Sequence, residues 1–147
     1  MQKNRFFPLV TLCLVSAAAL AVAAGAARYS KAAIVGNWEE NRRVYTKIAE
    51  QALTAGQLPE KLPGGVEDIR PWRGAQVDFL CRGQRFGSAG IYRGFYYSAD
   101  NVIRTFQGGD QLFRAHGDGY LWQTPDGGNS CYVEPMDNHW YYFDMRV

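Results

Sequence analysis

The chain has 147 residues, of which 47% are hydrophobic and 14% aromatic, so it is long enough for one small globular domain. Two of its sixteen basic residues, Lys3 and Arg5, precede position 28, which leaves fourteen basic and fourteen acidic residues in the remainder. Binding to nucleic acid generally requires a net basic surface, so we expect no nucleic acid among the partners of this neutral body.

The first 27 residues predict export or membrane anchoring. A short basic start, MQKNR, is followed by 22 uncharged residues from Phe6 to Ala27, and such a length can span a hydrocarbon core of about 30 Å. The small residues Ala24-Gly25-Ala26 also fit the cleavage site of a secretory signal peptide. A cleaved signal and a signal-anchor transmembrane segment, with membrane contact through residues 6–27, both stay open. Either one predicts an extracytoplasmic body, periplasmic if the source is a Gram-negative bacterium.

Residues 28–57 are predicted to form an amphipathic helix that continues from the hydrophobic one. Large apolar side chains recur at spacings of three and four, which places them on one helical face. That face comprises Ile34, Trp38, Asn41, Tyr45, Ile48 and Ala52. Gly56 is expected to end the helix, and residues 58–65, LPEKLPGG, are expected to be a linker because they hold two prolines and two glycines.

Residues 66–147 are predicted to form an antiparallel β domain. Short strand-like runs alternate with turns rich in Gly, Asp and Asn, a pattern typical of consecutive hairpins. The runs are AQVDFLCR, GIYRGFYYS, VIRTF, QLFRAH, YLWQT, SCYVE and WYYFDMRV. We therefore expect an α+β fold in which the amphipathic helix packs on an antiparallel meander of about six strands.

Two cysteines lie in the strand-like runs of this domain. Cys81 and Cys131 each fall on the same face of their run as apolar neighbours. An even pair of cysteines in an exported domain is typical of a disulfide, so we predict a bond between them.

The aromatic residues are more numerous than one face of a small sheet can bury. From position 66 onward there are 16 in 82 residues. In the last run, Tyr141 and Phe143 share one face with other apolar residues and are expected in the core, whereas Trp140 and Tyr142 lie on the opposite face. The second face either lies under the helix or contacts a partner, since exposed Tyr and Trp are enriched at binding hot spots. The predicted binding surface comprises Tyr92, Tyr96, Trp122, Trp140 and Tyr142.

The segment SAGIY, which lies between the two strand cysteines, resembles the recognition loop of periplasmic lysozyme inhibitors. The residues that match are Ser88, Gly90 and Tyr92. Those inhibitors are small exported β proteins whose loop enters the lysozyme cleft. The resemblance covers five residues, and the order of the small residues and the N-terminal helix depart from that family. It points to a class of function rather than to membership.

Catalytic and metal-binding motifs are not evident in the sequence. His116 and His139 both lie at predicted strand ends beside turns, where active sites do occur. With Glu134, Arg114 and Tyr132 they could form a general acid–base cluster of a small secreted hydrolase, which is one alternative function. We expect no metal and no cofactor. A carbohydrate-binding module is the second alternative, because Tyr and Trp rings also stack on sugars.

The sequence thus favours a small exported or membrane-anchored envelope protein that is not an enzyme. It is predicted to act by contact with another protein of the cell envelope, and an inhibitor or immunity-type protein is the concrete version of this prediction.

Overall fold

The structure is a computed structural model that describes residue 27, residues 29–72 and residues 74–147. The predicted leader, whether signal peptide or hydrophobic anchor helix, lies outside the described residues except for its last residue. Within the described part of the chain, no helix is both long enough and apolar enough to cross a membrane.

The amphipathic helix, α1, spans Lys31–Ala55. Ser30 caps its start: the hydroxyl accepts a hydrogen bond from the Ala33 N–H and so satisfies one of the free donors of the first turn. Ser30 itself has an extended backbone with ψ of 155°, so the predicted continuation of this helix from the preceding hydrophobic segment is wrong at this residue. The helix ends at Gly56, which adopts a left-handed conformation with φ of 64°. The predicted helical face is confirmed, with Asn41 only partly buried. The buried residues are Ile34, Trp38, Tyr45, Ile48, Ala49 and Ala52.

In the described part of the chain, seven strands follow the helix, where about six were predicted, and all neighbouring strands are antiparallel. Their bounds are β1 Asp68–Trp72, β2 Gln76–Phe86, β3 Ala89–Ser98, β4 Arg114–His116, β5 Gly119–Gln123, β6 Ser130–Asp137 and β7 Trp140–Arg146. The α+β class and the packing of one helix on an antiparallel sheet are confirmed.

The strand order β1-β2-β3-β7-β6-β5-β4 corrects the prediction of an uninterrupted meander. Two meanders, β1-β2-β3 and β4-β5-β6-β7, join because the last strand pairs with β3. The connection between β3 and β4 therefore has to cross one face of the sheet. Residues 99–113 make this crossing, and we call them the crossing segment.

The crossing segment contains VIRTF, which was wrongly predicted to be a strand. Two of its backbone donors bond to side chains of β3, and a third, the Thr105 N–H, donates to the Gly109 carbonyl within the segment. The Val102 N–H donates to Ser98 Oγ at 3.0 Å and the Arg104 N–H to Tyr96 Oη at 3.1 Å. Such side-chain acceptors compete with a strand ladder for the backbone. The missed strand, β1, contains Pro71, and proline weakens a strand signal in the sequence.

Each face of the sheet has its own core. The helix-side core lies under α1, and its central ring, Tyr45, packs edge-on against Phe79 and Phe95 at centroid distances of 5.2 and 4.8 Å. The crossing-segment core lies on the opposite face, where Phe106 stacks on Phe143 at 5.0 Å.

The predicted disulfide is wrong. Cys81 belongs to the helix-side core and Cys131 to the crossing-segment core, so the sheet itself separates them. Both are buried free thiols in the structure. Burial also raises the pKa of each thiol to about 12, which keeps both of them protonated.

Candidate functional site

Three of the five residues predicted to form a binding surface lie in the cores. Tyr96 is fully buried, and Trp140 and Tyr142 are 2% and 3% exposed. Tyr96 lies in the crossing-segment core, whereas Trp140 and Tyr142 belong to the core beneath α1. The helix therefore covers the face of β7 for which the sequence predicted either the helix or a partner. The prediction that these three aromatic residues belong to a binding surface is wrong, because they are core residues.

Tyr92 and Trp122 are half-buried and remain accessible to a partner. Tyr92 stacks on Phe106 at 5.3 Å, and its hydroxyl accepts a hydrogen bond from Arg85 Nε. Trp122 lies on β5 and packs against the edge of the crossing-segment core. Of these two residues, Trp122 lines a groove.

The groove that Trp122 lines runs beside the edge strand β4, and we call it the β4 groove. It has a volume of about 870 Å³ and is formed by residues 111–116 and 121–125. The first stretch comprises the end of the crossing segment and all of β4. The second comprises the end of β5 and the turn that follows it. The hairpin between β4 and β5 thus holds both walls in place.

Leu112 is the most exposed large apolar side chain of the β4 groove, at 92%. Its neighbour Phe113 points the other way, since it is half-buried against the crossing-segment core. Leu112 was not among the predicted binding residues, although the sequence carries a signal for its exposure. In QLFRAH, alternation places Leu112 on the same face as Arg114 and His116, which is the face expected to meet solvent.

The ionisable side chains that line the β4 groove are all basic. Among the described residues that line it, Arg114 and His116 are the only ionisable ones, and none is a carboxylate. Both side chains are exposed. The groove therefore combines an apolar side chain in water with a basic rim, a combination that suits recognition of a partner carrying apolar and acidic groups.

A buried carboxylate holds the crossing segment that leads to the β4 groove. Asp78 on β2 is 1% exposed. Its Oδ2 accepts a hydrogen bond from the Gln107 N–H at 2.8 Å, and its Oδ1 accepts one from Gln76 Nε2 at 2.6 Å. Gln76 also donates to the Thr105 carbonyl. These contacts tie the segment to the sheet, and Asp78, an acid inside the apolar run VDFL, is a residue whose role the sequence analysis missed.

Burial raises the pKa of Asp78 to about 7, while the hydrogen bonds from Gln76 and Gln107 and the charge of Arg70 oppose that rise. The carboxyl therefore titrates near neutral pH rather than near 4. Its protonation state is coupled to the contacts that hold the crossing segment.

The two histidines have no contact in common. His116 lies edge-on to the Tyr132 ring at a centroid distance of 6.3 Å. His139 has φ of 68°, and its Nδ1 lies 2.8 Å from the Ser98 carbonyl oxygen. Tyr132 in turn donates to Glu134 Oε2 at 2.5 Å, so His116, Tyr132 and Glu134 of the predicted acid–base cluster lie in one series of contacts, which His139 does not join among the described residues. Among the described residues, no group of three His, Cys, Asp or Glu side chains could hold a metal ion.

A second, smaller groove of about 340 Å³ lies on the helix side of the sheet, where α1 leaves β5 and β6 uncovered. Tyr132 lines it and donates to Glu134 Oε2 at 2.5 Å, and Lys31 donates to the same oxygen. These bonds lower the pKa of Glu134, although burial alone would raise it. A tyrosine ring beside charged groups is the arrangement that the carbohydrate-binding alternative would use.

The SAGIY segment does not form a long loop. Ala89 begins β3, and Gly87 and Ser88 form the tight turn after β2. Phe86, the last residue of β2, is 59% exposed beside this turn. The segment that resembles the inhibitor loop is thus a short hairpin, apart from the β4 groove. Compared with family profiles, with curated proteins and with solved structures, the chain matches none of them.

Proposed function

We propose that this protein acts by binding another protein through the β4 groove. The observation that carries the proposal is the 92% exposure of Leu112 beside the half-buried Trp122. A leucine in water has a favourable free energy of transfer into an apolar contact, of about 1.5–3 kcal/mol when it is fully buried. Trp is among the residue types most enriched at binding hot spots.

The exposure of Leu112 occurs in a segment that is tied to the rest of the protein. Asp78 accepts from the Gln107 N–H, and the Tyr96 hydroxyl on β3 accepts from the Arg104 N–H at 3.1 Å. Within the segment, the Arg104 guanidinium donates twice to the Asp100 carboxylate at 2.8 and 2.6 Å. Beyond Leu112 the chain enters β4, which pairs with β5. A partner would therefore meet a surface that is already ordered, which lowers the entropic cost of binding.

The leader places this interaction outside the cytoplasm in our proposal, either at the membrane or free in the periplasm. The partner would then be a protein of the cell envelope. An inhibitor or immunity-type role fits a small protein whose contact residues are fixed before binding. Under this proposal the chain is not an enzyme.

Affinity capture with matched variants tests the proposal. The full chain, purified in a nonionic detergent, is incubated with an envelope extract of its source, and bound proteins are identified and titrated. Leu112→Asp should leave the fold intact, because Leu112 is exposed, and should weaken binding of the specific partner by about 2 kcal/mol or more. Trp122→Ala should weaken it as well.

Val44→Asp is the matched control, because Val44 is 51% exposed on α1, and α1 packs on the strands at the opposite end of the sheet. A partner bound with equal affinity by wild type and Leu112→Asp would refute binding through the β4 groove. A partner lost equally in both aspartate variants would point to nonspecific apolar adhesion and would refute it too.

A further inference from the structure

We infer that one end of the folded body docks on the surface of a bilayer that contains anionic phospholipid, with Phe86 inserted into it. This end comprises the start of α1, the hairpin between β2 and β3 and the end of β7, and we call it the leader end. The inference rests on residues outside the β4 groove. It adds a lipid surface to the protein partner of the proposed function.

The chain reaches the leader end directly from the predicted leader. The uncharged stretch of the sequence ends at Ala27, two residues before Tyr29. The Arg82 guanidinium on β2 lies over the Tyr29 ring, 4.7 Å from its centroid. From Arg82, β2 continues to Phe86, about 13 Å further along the strand. Tyrosine and arginine side chains are favoured at the level of lipid headgroups, so a leader that spans the bilayer would bring this end of the body to its surface.

The hairpin between β2 and β3 protrudes at the leader end. Val147 exchanges two backbone hydrogen bonds with Gly90, and residues 86–89 extend beyond this pair. On the other side, β1 pairs with β2 only as far as Leu80. Phe86 is 59% exposed on this protruding tip. A large ring held in water in this position gains free energy when it enters an apolar phase.

The leader end is basic, although residues 28–147 carry equal numbers of basic and acidic residues. Among the described side chains of this end, five are basic and three are carboxylates. The basic ones are Lys31, Arg82, Arg85, Arg93 and Arg146, and the carboxylates are Glu67, Glu134 and Asp144. Lys31 donates to Glu134, and Arg93 donates to Asp144 at 2.8 Å. The remaining arginines are therefore the ones that an anionic surface would attract.

Three arginines of the leader end can bind lipid phosphate. Arg82 donates to the Gln84 side-chain oxygen at 2.7 Å and Arg85 to the Tyr92 hydroxyl at 3.1 Å, and both of these acceptors are neutral. The Arg146 side chain is 63% exposed, and its Nε lies 3.9 Å from a carboxylate oxygen, which is too far for a hydrogen bond. A phosphate group would give each guanidinium a charge-assisted hydrogen bond, which is stronger than a bond to a neutral acceptor.

A bilayer fits this surface better than an acidic protein does. The exposed ring and the three arginines lie at the end of the body that the leader joins, and a leader that spans the bilayer holds that end against lipid at all times. Docking of the body then follows an attachment that already exists, so its entropic cost is small.

Fluorescence quenching in vesicles tests the inference with the full chain, in which Cys13 is replaced by serine. An environment-sensitive fluorophore is attached to Ser88→Cys at the hairpin tip or to Val44→Cys on the outer face of α1, and both positions are exposed. The vesicles consist of phosphatidylcholine with or without phosphatidylglycerol, and some of the lipid carries a nitroxide quencher on its acyl chain. The label at position 88 should be quenched when phosphatidylglycerol is present, and the label at position 44 should not.

Variants of the leader end separate docking of the body from the effect of the leader alone. Arg85→Gln and Arg146→Gln should each lower the ratio of docked to undocked protein about fivefold. Arg43→Gln removes the same charge from an exposed position on α1 and should leave that ratio unchanged. Phe86→Asp should leave the fold intact, because Phe86 is exposed, and should abolish quenching at position 88.

Three results would overturn the inference. The first is equal quenching of the labels at positions 88 and 44 when phosphatidylglycerol is present. The second is quenching at position 88 that Phe86→Asp and both arginine variants leave unchanged, because the leader alone would then hold the tip near lipid. The third is an envelope protein that the wild type captures and Phe86→Asp loses while no quenching occurs in vesicles, which would identify a protein as the occupant.

The inference and the proposed function can fail separately, because vesicle docking is tested at Phe86 and capture of a protein is tested at Leu112. If the vesicle experiment fails while capture remains sensitive to Leu112→Asp, the leader end does not bind lipid and the β4 groove still binds a partner. If capture is insensitive to Leu112→Asp, the proposed function fails and the vesicle result is unaffected.

Discussion

The two faces of the sheet are covered in different ways. On one face, α1 packs its aromatic side chains against aromatic side chains of the strands. On the other face, the irregular crossing segment is held by hydrogen bonds. Tyr45 on α1 is fully buried among Phe79 and Phe95. The crossing segment instead depends on Asp78, which accepts a hydrogen bond from Gln107. Stability on the helix side should follow apolar burial and depend little on pH. Stability on the other side should depend on the protonation of a buried carboxyl.

Truncation of Tyr45 is expected to have the largest effect. Tyr45→Ala removes a fully buried ring and leaves a cavity under α1, so the free energy of unfolding should fall by about 3–5 kcal/mol. Tyr45→Phe keeps the ring and loses only the hydrogen bond from Asn37, so it should cost about 1 kcal/mol. Urea denaturation of the full chain measures both. Equal losses in the two variants would show that the hydrogen bond, and not the ring, holds the helix to the sheet.

Titration of Asp78 should give the next largest effect. The carboxyl has a pKa of about 7 in the folded protein and 3.8 as its ordinary value. The folded state therefore binds the proton more tightly, and its stabilising contribution is complete below pH 4 and is lost as pH rises through about 7. The free energy of unfolding should fall between pH 5 and 7 by up to about 1.4 kcal/mol per pH unit.

Asp78→Asn is the control, because its amide has a similar shape and does not titrate. The slope between pH 5 and 7 should disappear in this variant. Asp100 and Glu134, whose pKa values are lowered, contribute below this window and with the opposite sign. A slope that persists unchanged in Asp78→Asn would mean that another group titrates, and the contrast between the two faces would then rest on geometry alone.

Chemical reduction of the protein should have no effect on its stability, the smallest effect of the three predictions. Cys81 and Cys131 are free thiols on opposite faces of the sheet. The third cysteine of the sequence, Cys13, lies in the predicted leader and is replaced by serine for this test. Dithiothreitol should then not shift the urea midpoint of the Cys13→Ser variant. In the native state neither thiol should react with a thiol reagent, and both should react after unfolding. A midpoint that falls on reduction would show that the two faces are linked covalently and would contradict the separation of the two cores.

The sequence by itself determined the features that depend on residues close together in the chain, namely the helix, its buried face and most of the hairpin turns. The spacing of apolar residues placed α1 and its buried face, because a helix returns to the same side every three or four residues. Gly56 marked the end of this helix, and short turns rich in Gly, Asp and Asn predicted most of the hairpins. These features need no knowledge of distant parts of the chain.

Tertiary structure alone decided which distant parts meet. The pairing of β7 with β3 put Trp140 under α1, and it forced residues 99–113 across the sheet rather than into it. It also put Cys81 and Cys131 on opposite faces and made β4 an edge strand of the described sheet, directly after the segment that carries Leu112. Alternation in a strand shows which residues share a face but not what covers that face. The cover depends on contacts between residues far apart in the chain, so the core and the β4 groove emerged only from the folded arrangement.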